Sequence, residues 1–210
     1  MDEELRDVWD TIADSWNNLR SKPQPEVVDF SRKYSGLVVD IGCGNCRNLI
    51  SFKGKLVGID FSKKMILEAK KFCEKRGVEV YLVIGDATNL PLKDSIADVI
   101  IYTSVISHLK KRDERLKSLK EIKRAGKDGF ISILSIWNRW QMRFVWKLIL
   151  GLFKGTYPDV YVDWNYHGKK YKRFYHLYTK KEMERDLKEV GFIIEKTFKS
   201  KGGVWFWIRK

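Results

Sequence analysis

Leu5, Val8, Trp9, Ile12, Trp16 and Leu19 recur at spacings of three and four, which predicts an amphipathic helix over the first 20 residues, stopped by Pro23 and Pro25. The pattern then changes to short apolar runs at Leu37 to Ile41, Leu56 to Asp60, Val78 to Ile84, Val99 to Ile101 and Phe130 to Ile136. Helical spacing at Lys63 to Arg76 and Glu114 to Arg124 separates some of them. Continuous apolar strands alternating with amphipathic helices imply a parallel sheet covered on both faces, with a ligand at the carboxyl ends of the strands. Near the end, Thr179 to Val190 reads as a helix, and Phe192 to Phe198 and Val204 to Ile208 as strands joined across Lys201-Gly202-Gly203. That pair is expected to be an antiparallel hairpin at the sheet edge. The expected fold class is therefore α/β, with helices on both faces.

Trp137 to Tyr178 interrupts the alternation and reads as an inserted, substrate-facing region. With 210 residues the chain suits one domain, expected as a helical cap (1–35), a cofactor-binding core (36–136), the insertion (137–178) and the C-terminal helix and hairpin (179–210). Within the insertion, Trp140 to Phe153 is apolar apart from Arg143 and Lys147 and fits either core packing or a membrane surface. Gly151 to Tyr178 holds nine Phe, Trp or Tyr and five Lys or Arg, a mixture that stacks unpaired bases and neutralises phosphates. The longest apolar-rich stretch, Phe144 to Phe153, is about half of the roughly 20 residues a membrane span needs, so no bilayer crossing is expected.

Forty-one Lys and Arg against 27 Asp and Glu leave a net charge of +14, a field that concentrates polyanions such as RNA. A solvated surface rich in Lys and Glu is the alternative. Cys43, Cys46 and Cys73 are an odd number and form no secreted disulfide framework, which points to reducing cytoplasm. Met1 to Arg20 mixes acids and aromatics and lacks the form of a secretion signal. Cys43 and Cys46 make a C-x-x-C, but a zinc site needs about four ligands and no second pair exists, so no metal is expected.

The first strand runs into Asp40-Ile41-Gly42-Cys43-Gly44-Asn45-Cys46-Arg47, where small residues let backbone amides approach a ligand at a strand-to-helix turn. Arg47 stands at the third-glycine position of the dinucleotide fingerprint and argues against NAD. Asp60 ends the second strand, where a carboxylate accepts the two hydroxyl hydrogens of a ribose, and Asp86-Ala87 follows the third, where adenine contacts are available. Each acid alone has a plainer reading, a helix N-terminal acid for Asp60 and a turn residue for Asp86.

As an ordered set, Asp40-x-Gly42-x-Gly44, Asp60, Asp86-Ala87 and Asp98 before the fourth strand resemble the class I S-adenosylmethionine methyltransferases over about residues 36 to 135. The resemblance implies a seven-stranded Rossmann-like sheet and S-adenosylmethionine as cofactor. It places Asp40 near the methionine amino group and Asp60 on the ribose, within a binding set of Asp40, Gly42, Cys43, Gly44, Asp60, Phe61, Asp86, Ala87 and Thr103.

Tyr102 to Leu109, after the fourth strand, carries neither the Asn-Pro-Pro-aromatic motif of amino-group methylation nor a Pro-Cys nucleophile, which favours an oxygen acceptor. Val8 to Ala13, Arg20 to Pro25, His108, Trp137 and Arg173 to Tyr178 resemble the tRNA wobble-uridine carboxymethyl methyltransferases, a family that includes the methyltransferase domain fused to an AlkB-type hydroxylase in animals. That resemblance implies esterification of a 5-carboxymethyl group, whose carboxylate is already ionised and needs no strong base. It puts Arg20, His108, Arg173, Tyr175 and His176 around the acceptor, and Lys22, Trp137, Lys169, Lys170 and Lys172 with the arginines on the RNA. It also suggests a small zinc-ribbon activator protein at the sheet edge. Gln24 replaces an aromatic of the family, Ser107 replaces the first of two histidines, and Ala125 to Gly129 stands where the family has a turn. His108 as a helix cap, and Arg173 to Tyr178 as a core strand, remain the plainer alternatives. So do two other functions, methylation of a small acceptor such as a quinone precursor and RNA binding without turnover.

Overall fold

The computed structural model describes residues 3–133, 159–200 and 203–210. In chain order the elements are α1 (Glu3–Leu19), α2 (Pro25–Ser31), β1 (Leu37–Ile41), β2 (Lys55–Asp60), α3 (Lys63–Glu74), β3 (Tyr81–Ile84), β4 (Ala97–Thr103), α4 (Arg112–Ala125), β5 (Gly126–Ile133), β6 (Asp159–Tyr166), β7 (Lys169–His176), α5 (Lys180–Val190), β8 (Ile193–Ser200) and β9 (Gly203–Arg209). Seven strands form one sheet in the order β3-β2-β1-β4-β5-β9-β8, parallel except for β9, which runs antiparallel to both neighbours. The order reverses between β1 and β4, and a crevice opens at such a switch point.

Residues on successive positions of β4 face opposite sides, as the two-residue strand period requires. Ile100 and Tyr102 join Leu119 of α4 and Met183 and Leu187 of α5 in one core, while Val99 and Ile101 join Phe30 of α2 and Phe72 of α3 in the other. Helices cover both faces of the sheet, which is why its strands read as continuous apolar runs. Local chemistry sets the helix ends: Ser62 Oγ accepts from the Met65 N–H at 3.0 Å to start α3, and α5 stops at Gly191 with φ of 84°.

The structure differs from the sequence reading in four places. The third strand begins at Tyr81, not Val78, because Val78 and Val80 pack against the core from the approach to the strand. The seven-residue α2 escapes a periodicity search; α1 already ends at Leu19, and Pro25, expected to stop it, stands instead at the first turn of α2. Ala125 to Gly129 is no turn: α4 runs through Ala125 straight into β5 at Gly126. Gly126 and Gly129 serve close packing there, since a Cβ would stand 2.7 Å from Ile100 Cδ1 and 3.1 Å from Ile208 Cγ1. Finally, the described part of the insertion is a β-hairpin, β6–β7, turning at His167 and Gly168 with φ of 47° and 71°.

The hairpin docks on α1 and on the loop after β4. Trp164 Nε1 donates to Ser15 Oγ at 2.9 Å, the Tyr166 hydroxyl donates to Asp14 at 2.6 Å, and His108 Nδ1 meets the Phe174 carbonyl at 2.9 Å. Trp137 and the Trp140 to Phe153 stretch lie outside the described residues. No helix among the described residues is long and apolar enough to cross a membrane.

Candidate functional site

The ends of β1, β2 and β4, covered by α1 and by the β6–β7 hairpin, enclose a cavity of about 510 Å³. Its floor is the loop after β1. Gly42 takes φ of 68°, and a Cβ there would stand 2.3 Å from Val105 Cγ2, so glycine is required on both counts. Cys46 and Ser104, at the ends of the two loops that meet here, also sit at positive φ, of 63° and 61°. Backbone strain of this kind is kept where surrounding structure enforces it, commonly at ligand sites.

Two carboxylates define the floor's chemistry. Asp60, at the end of β2, accepts from the Gly44 and Ser62 amides at 2.9 Å each and keeps further lone pairs for other donors. Burial raises its pKa to about 6 against those two amides. Asp40, behind Gly42 on β1, is buried and neither of its oxygens finds a partner among the described residues. Burial first, and then the charge of Asp60, pushes it up to about 8, with Arg47 pulling the other way. A buried carboxylate without a donor costs free energy unless a ligand supplies one.

The opposite wall is aromatic and cationic. Arg173 of β7 is 4% exposed, yet no described carboxylate pairs with it; Nη1 donates to the Tyr175 hydroxyl at 2.9 Å, and Nε is buried without a partner. Its guanidinium carbon stands 4.7 Å from the ring centre of Trp164, 5.8 Å from those of Trp9 and Trp16, and 5.5 Å from that of Tyr175. Each such contact is worth about 0.5–2 kcal/mol. The desolvation of a buried ion costs several kcal/mol, so the rings alone do not offset it. Burial holds the guanidinium below its ordinary pKa. Arg20, 4.6 Å over Trp16, adds a second cation to the same wall.

His108 lies between Trp9 and Tyr175, with ring centres 5.0 and 4.4 Å away. Its Nδ1 faces the Phe174 carbonyl, which only accepts, so Nδ1 carries the proton. Burial brings its pKa down to about 4, and the imidazole is neutral. The Tyr175 hydroxyl, raised by burial, stays protonated.

Of the residues singled out from sequence, Arg20, Gly42, Cys43, Gly44, Asp60, Phe61, Thr103, His108, Arg173 and Tyr175 all line this cavity, and Asp40 stands directly behind it. Others lie elsewhere. Asp86 and Ala87 follow β3 off the cavity wall, where Asp86 Oδ1 accepts from the Thr88 amide and hydroxyl at 2.7 and 2.9 Å and Ala87 joins the core. His176 is locked between Asp159 and Glu182, at 2.7 and 2.9 Å. Lys169, Lys170 and Lys172 are exposed on β7, and Lys22 is exposed in the loop after α1. The three thiols are buried and unpaired by disulfides, and no group of three or more ligating side chains among the described residues suits a metal ion. The sequence reading gives no cavity role to Trp16, taken as helix face, to Trp9, taken as helix face and family motif, or to Trp164, counted only among the aromatics of the insertion. The signal is in Trp9 and Trp16, seven apart on one face of α1, with Arg20 just past its end.

The site suits S-adenosylmethionine: Asp40 lacks the donor that an ammonium provides, Asp60 has free lone pairs for a ribose, and the loop at Gly42 tolerates no side chain. Residues 39–133 match a family model described as a methyltransferase domain. The chain is 31% identical over 133 residues to the tRNA (carboxymethyluridine(34)-5-O)-methyltransferase of Arabidopsis thaliana, covering 62% of this chain and 31% of that protein. It is 30% identical over 138 residues to the tRNA (carboxymethyluridine(34)-5-O)-methyltransferase alkbh8 of Xenopus tropicalis, covering 64% and 21%. It thus spans less than a third of the length of either relative. Among solved structures, a SAM-dependent methyltransferase from Methanosarcina mazei superposes with a TM-score of 0.72 at 18% identity, over 90% of this chain and 98% of that one. Residues 39–133 of this chain are thus similar to a methyltransferase domain, and its seven-stranded sheet has the fold of the class I S-adenosylmethionine-dependent methyltransferases.

Proposed function

We propose that this protein transfers a methyl group from S-adenosylmethionine to a carboxylate carried by a tRNA, of the carboxymethyl type on a wobble uridine. The observation that carries the reading is Arg173, a buried guanidinium with no carboxylate partner among the described residues, ringed by Trp9, Trp16, Trp164 and Tyr175 across from the Asp40–Asp60 floor. The names of the relatives agree with it.

When bound, the cofactor would supply a methyl group on a sulfonium centre: the acceptor oxygen would take the methyl in line as the carbon–sulfur bond breaks and the sulfur leaves as a neutral thioether. Asp60 accepts the ribose hydroxyls, Asp40 the ammonium group, and the Gly42–Gly44 loop lets the ligand lie against the backbone. Phe61, Cys43 and Thr103 complete that side of the wall. Asp86 and Ala87 enter as adenine contacts only through the family resemblance. On the other side Arg173 and Arg20 orient the acceptor carboxylate, which is ionised at neutral pH and needs no base to remove a proton. The low basicity of His108 agrees with that chemistry; its role is to fix Tyr175 and Trp9 by contact. The indole faces give the uracil ring a stacking surface, and Lys22, Lys169, Lys170 and Lys172 lie on the surface where RNA approaches. The whole chain then works as one methyltransferase unit, with the insertion turned toward the substrate.

The test is incubation with methyl-labelled cofactor and unfractionated tRNA, followed by digestion to nucleosides. The reading expects a labelled uridine derivative. Protein that binds the cofactor yet labels no nucleoside would overturn the tRNA reading.

A further inference from the structure

Three consecutive carbonyls in the loop between α1 and α2 are tied down by side chains from other elements. Arg20 O accepts from Asn45 Nδ2 at 2.7 Å, Ser21 O from Arg76 Nη2 at 3.5 Å, and Lys22 O from Arg47 Nη1 at 3.4 Å. Arg76 is fastened further: Nη1 donates to the Phe72 carbonyl at 3.3 Å, and its guanidinium carbon lies 3.5 Å from the centre of the Phe72 ring. The result is a short, rigid loop with Arg20 and Lys22 exposed on it, flanked by two guanidiniums that spend hydrogen bonds on its backbone.

None of these four cations pairs with a carboxylate among the described residues. Elsewhere Arg32, Arg112, Arg124, Arg185 and Arg209 each meet an Asp or Glu. Acids on the neighbouring helices are already engaged: Glu68 with Asn17 and Lys71, Glu74 with Lys70, and Asp14 with Tyr166. Burial first, and then the charge of Arg20, brings Arg47 down to about 10, with Asp40 pulling the other way. Like charges fixed side by side without a counterion are a standing cost, relieved when an anion binds. Arg20 and Arg47 also belong to the cavity wall, so an anion bound on this loop is continuous with whatever enters the cavity. A nucleic-acid backbone has that continuity.

We infer that the loop at residues 20–22, with Arg20, Lys22, Arg47 and Arg76, grips the sugar–phosphate backbone of the RNA whose modified base enters the cavity. The inference rests on the tRNA reading above. It adds a second contact, on a different element from the hairpin lysines.

The test uses the full chain and a short unmodified RNA stem-loop, with binding followed by fluorescence anisotropy across a salt series. Arg76→Gln and Lys22→Gln are each expected to weaken binding several-fold at low salt and to flatten the log–log salt slope by about 0.7–0.9, the loss of one phosphate contact. The double variant should lose about twice that. Lys117→Gln and Lys120→Gln, on α4 at the opposite face of the sheet, should leave the slope unchanged, and S-adenosylmethionine binding by calorimetry confirms that every variant is folded. If the wild type binds RNA and the loop variants bind it with the same affinity and slope, the loop is not the grip and the tRNA reading survives. If the wild type binds no RNA at any salt concentration, both are overturned.

Discussion

Asp40 behind the cavity floor and Arg173 on its wall are both buried, and among the described residues Asp40 has no hydrogen-bond donor and Arg173 no carboxylate partner. In the ligand-free protein the folded pKa of Asp40, about 8, lies above the unfolded value of about 4, so this residue's contribution to stability falls as pH rises through that interval. A bound ammonium favours the ionised form. Cofactor binding at neutral pH is therefore predicted to release a proton, seen by titration calorimetry as a heat that varies with the ionisation enthalpy of the buffer. Asp40→Asn should remove the buffer dependence and weaken binding about tenfold or more, since a charge-assisted hydrogen bond is worth about 1.5–3 kcal/mol. Buffer-independent heat from the wild type would contradict this account of Asp40. For Arg173, replacement by Lys keeps the charge and loses the planar fork that pairs bidentately and stacks on indole. Arg173→Lys is predicted to lower kcat/KM for tRNA about 10- to 100-fold with the cofactor Kd unchanged, as expected for losing about 1.4–3 kcal/mol of acceptor contact. Equal losses in both quantities would point to a collapsed cavity. Arg20, His108, Arg173 and Tyr175 are legible through the family resemblance, which sets them around the acceptor. The tryptophans that give Arg173 its setting were hidden by their apolar spacing, which reads as helix packing until the hairpin is brought over them.

The β6–β7 hairpin brings Trp164, Arg173 and Tyr175 to the cavity, and one histidine fastens it. His176 at the end of β7 meets Asp159 of β6 through Nδ1 and Glu182 of α5 through Nε2. Two acceptors facing one ring require both nitrogens protonated. Burial pulls the imidazole down, the two carboxylates outweigh it with Arg115 working against them, and the net pKa is raised. The sign follows: the contribution is fully present below the unfolded value of about 6.5 and is lost as pH climbs through the higher folded value. Thermal melts of wild type and His176→Gln are predicted to differ most in mildly acid buffer and to converge as pH rises. A constant difference across that range would rule out the imidazolium. Strand period and helix spacing made most elements visible in the sequence, because β1, β2, β4 and β9 are buried on both faces. The exceptions have physical causes: two glycines inside β5 mimic a turn while making room for Ile100 and Ile208, and α2 is too short for its period to register.

Over the whole molecule, the sheet reverses order between β1 and β4 beside the cavity, and cations without carboxylate partners stand at its mouth. A net charge of +14 attracts any polyanion, so charge alone identifies no substrate. The proposal narrows the choice on the buried Arg173 guanidinium set among the indoles of Trp9, Trp16 and Trp164. The central claim is that the methyl group ends on a carboxylate oxygen of tRNA, and the chemistry of the product tests it directly. A methyl ester is cleaved by mild alkali, whereas methyl groups on base nitrogen, base carbon or ribose oxygen survive the same treatment. After reaction with methyl-labelled cofactor, the account predicts that mild alkali releases the tRNA-bound label as volatile methanol. Label that stays on the tRNA through that treatment would contradict it.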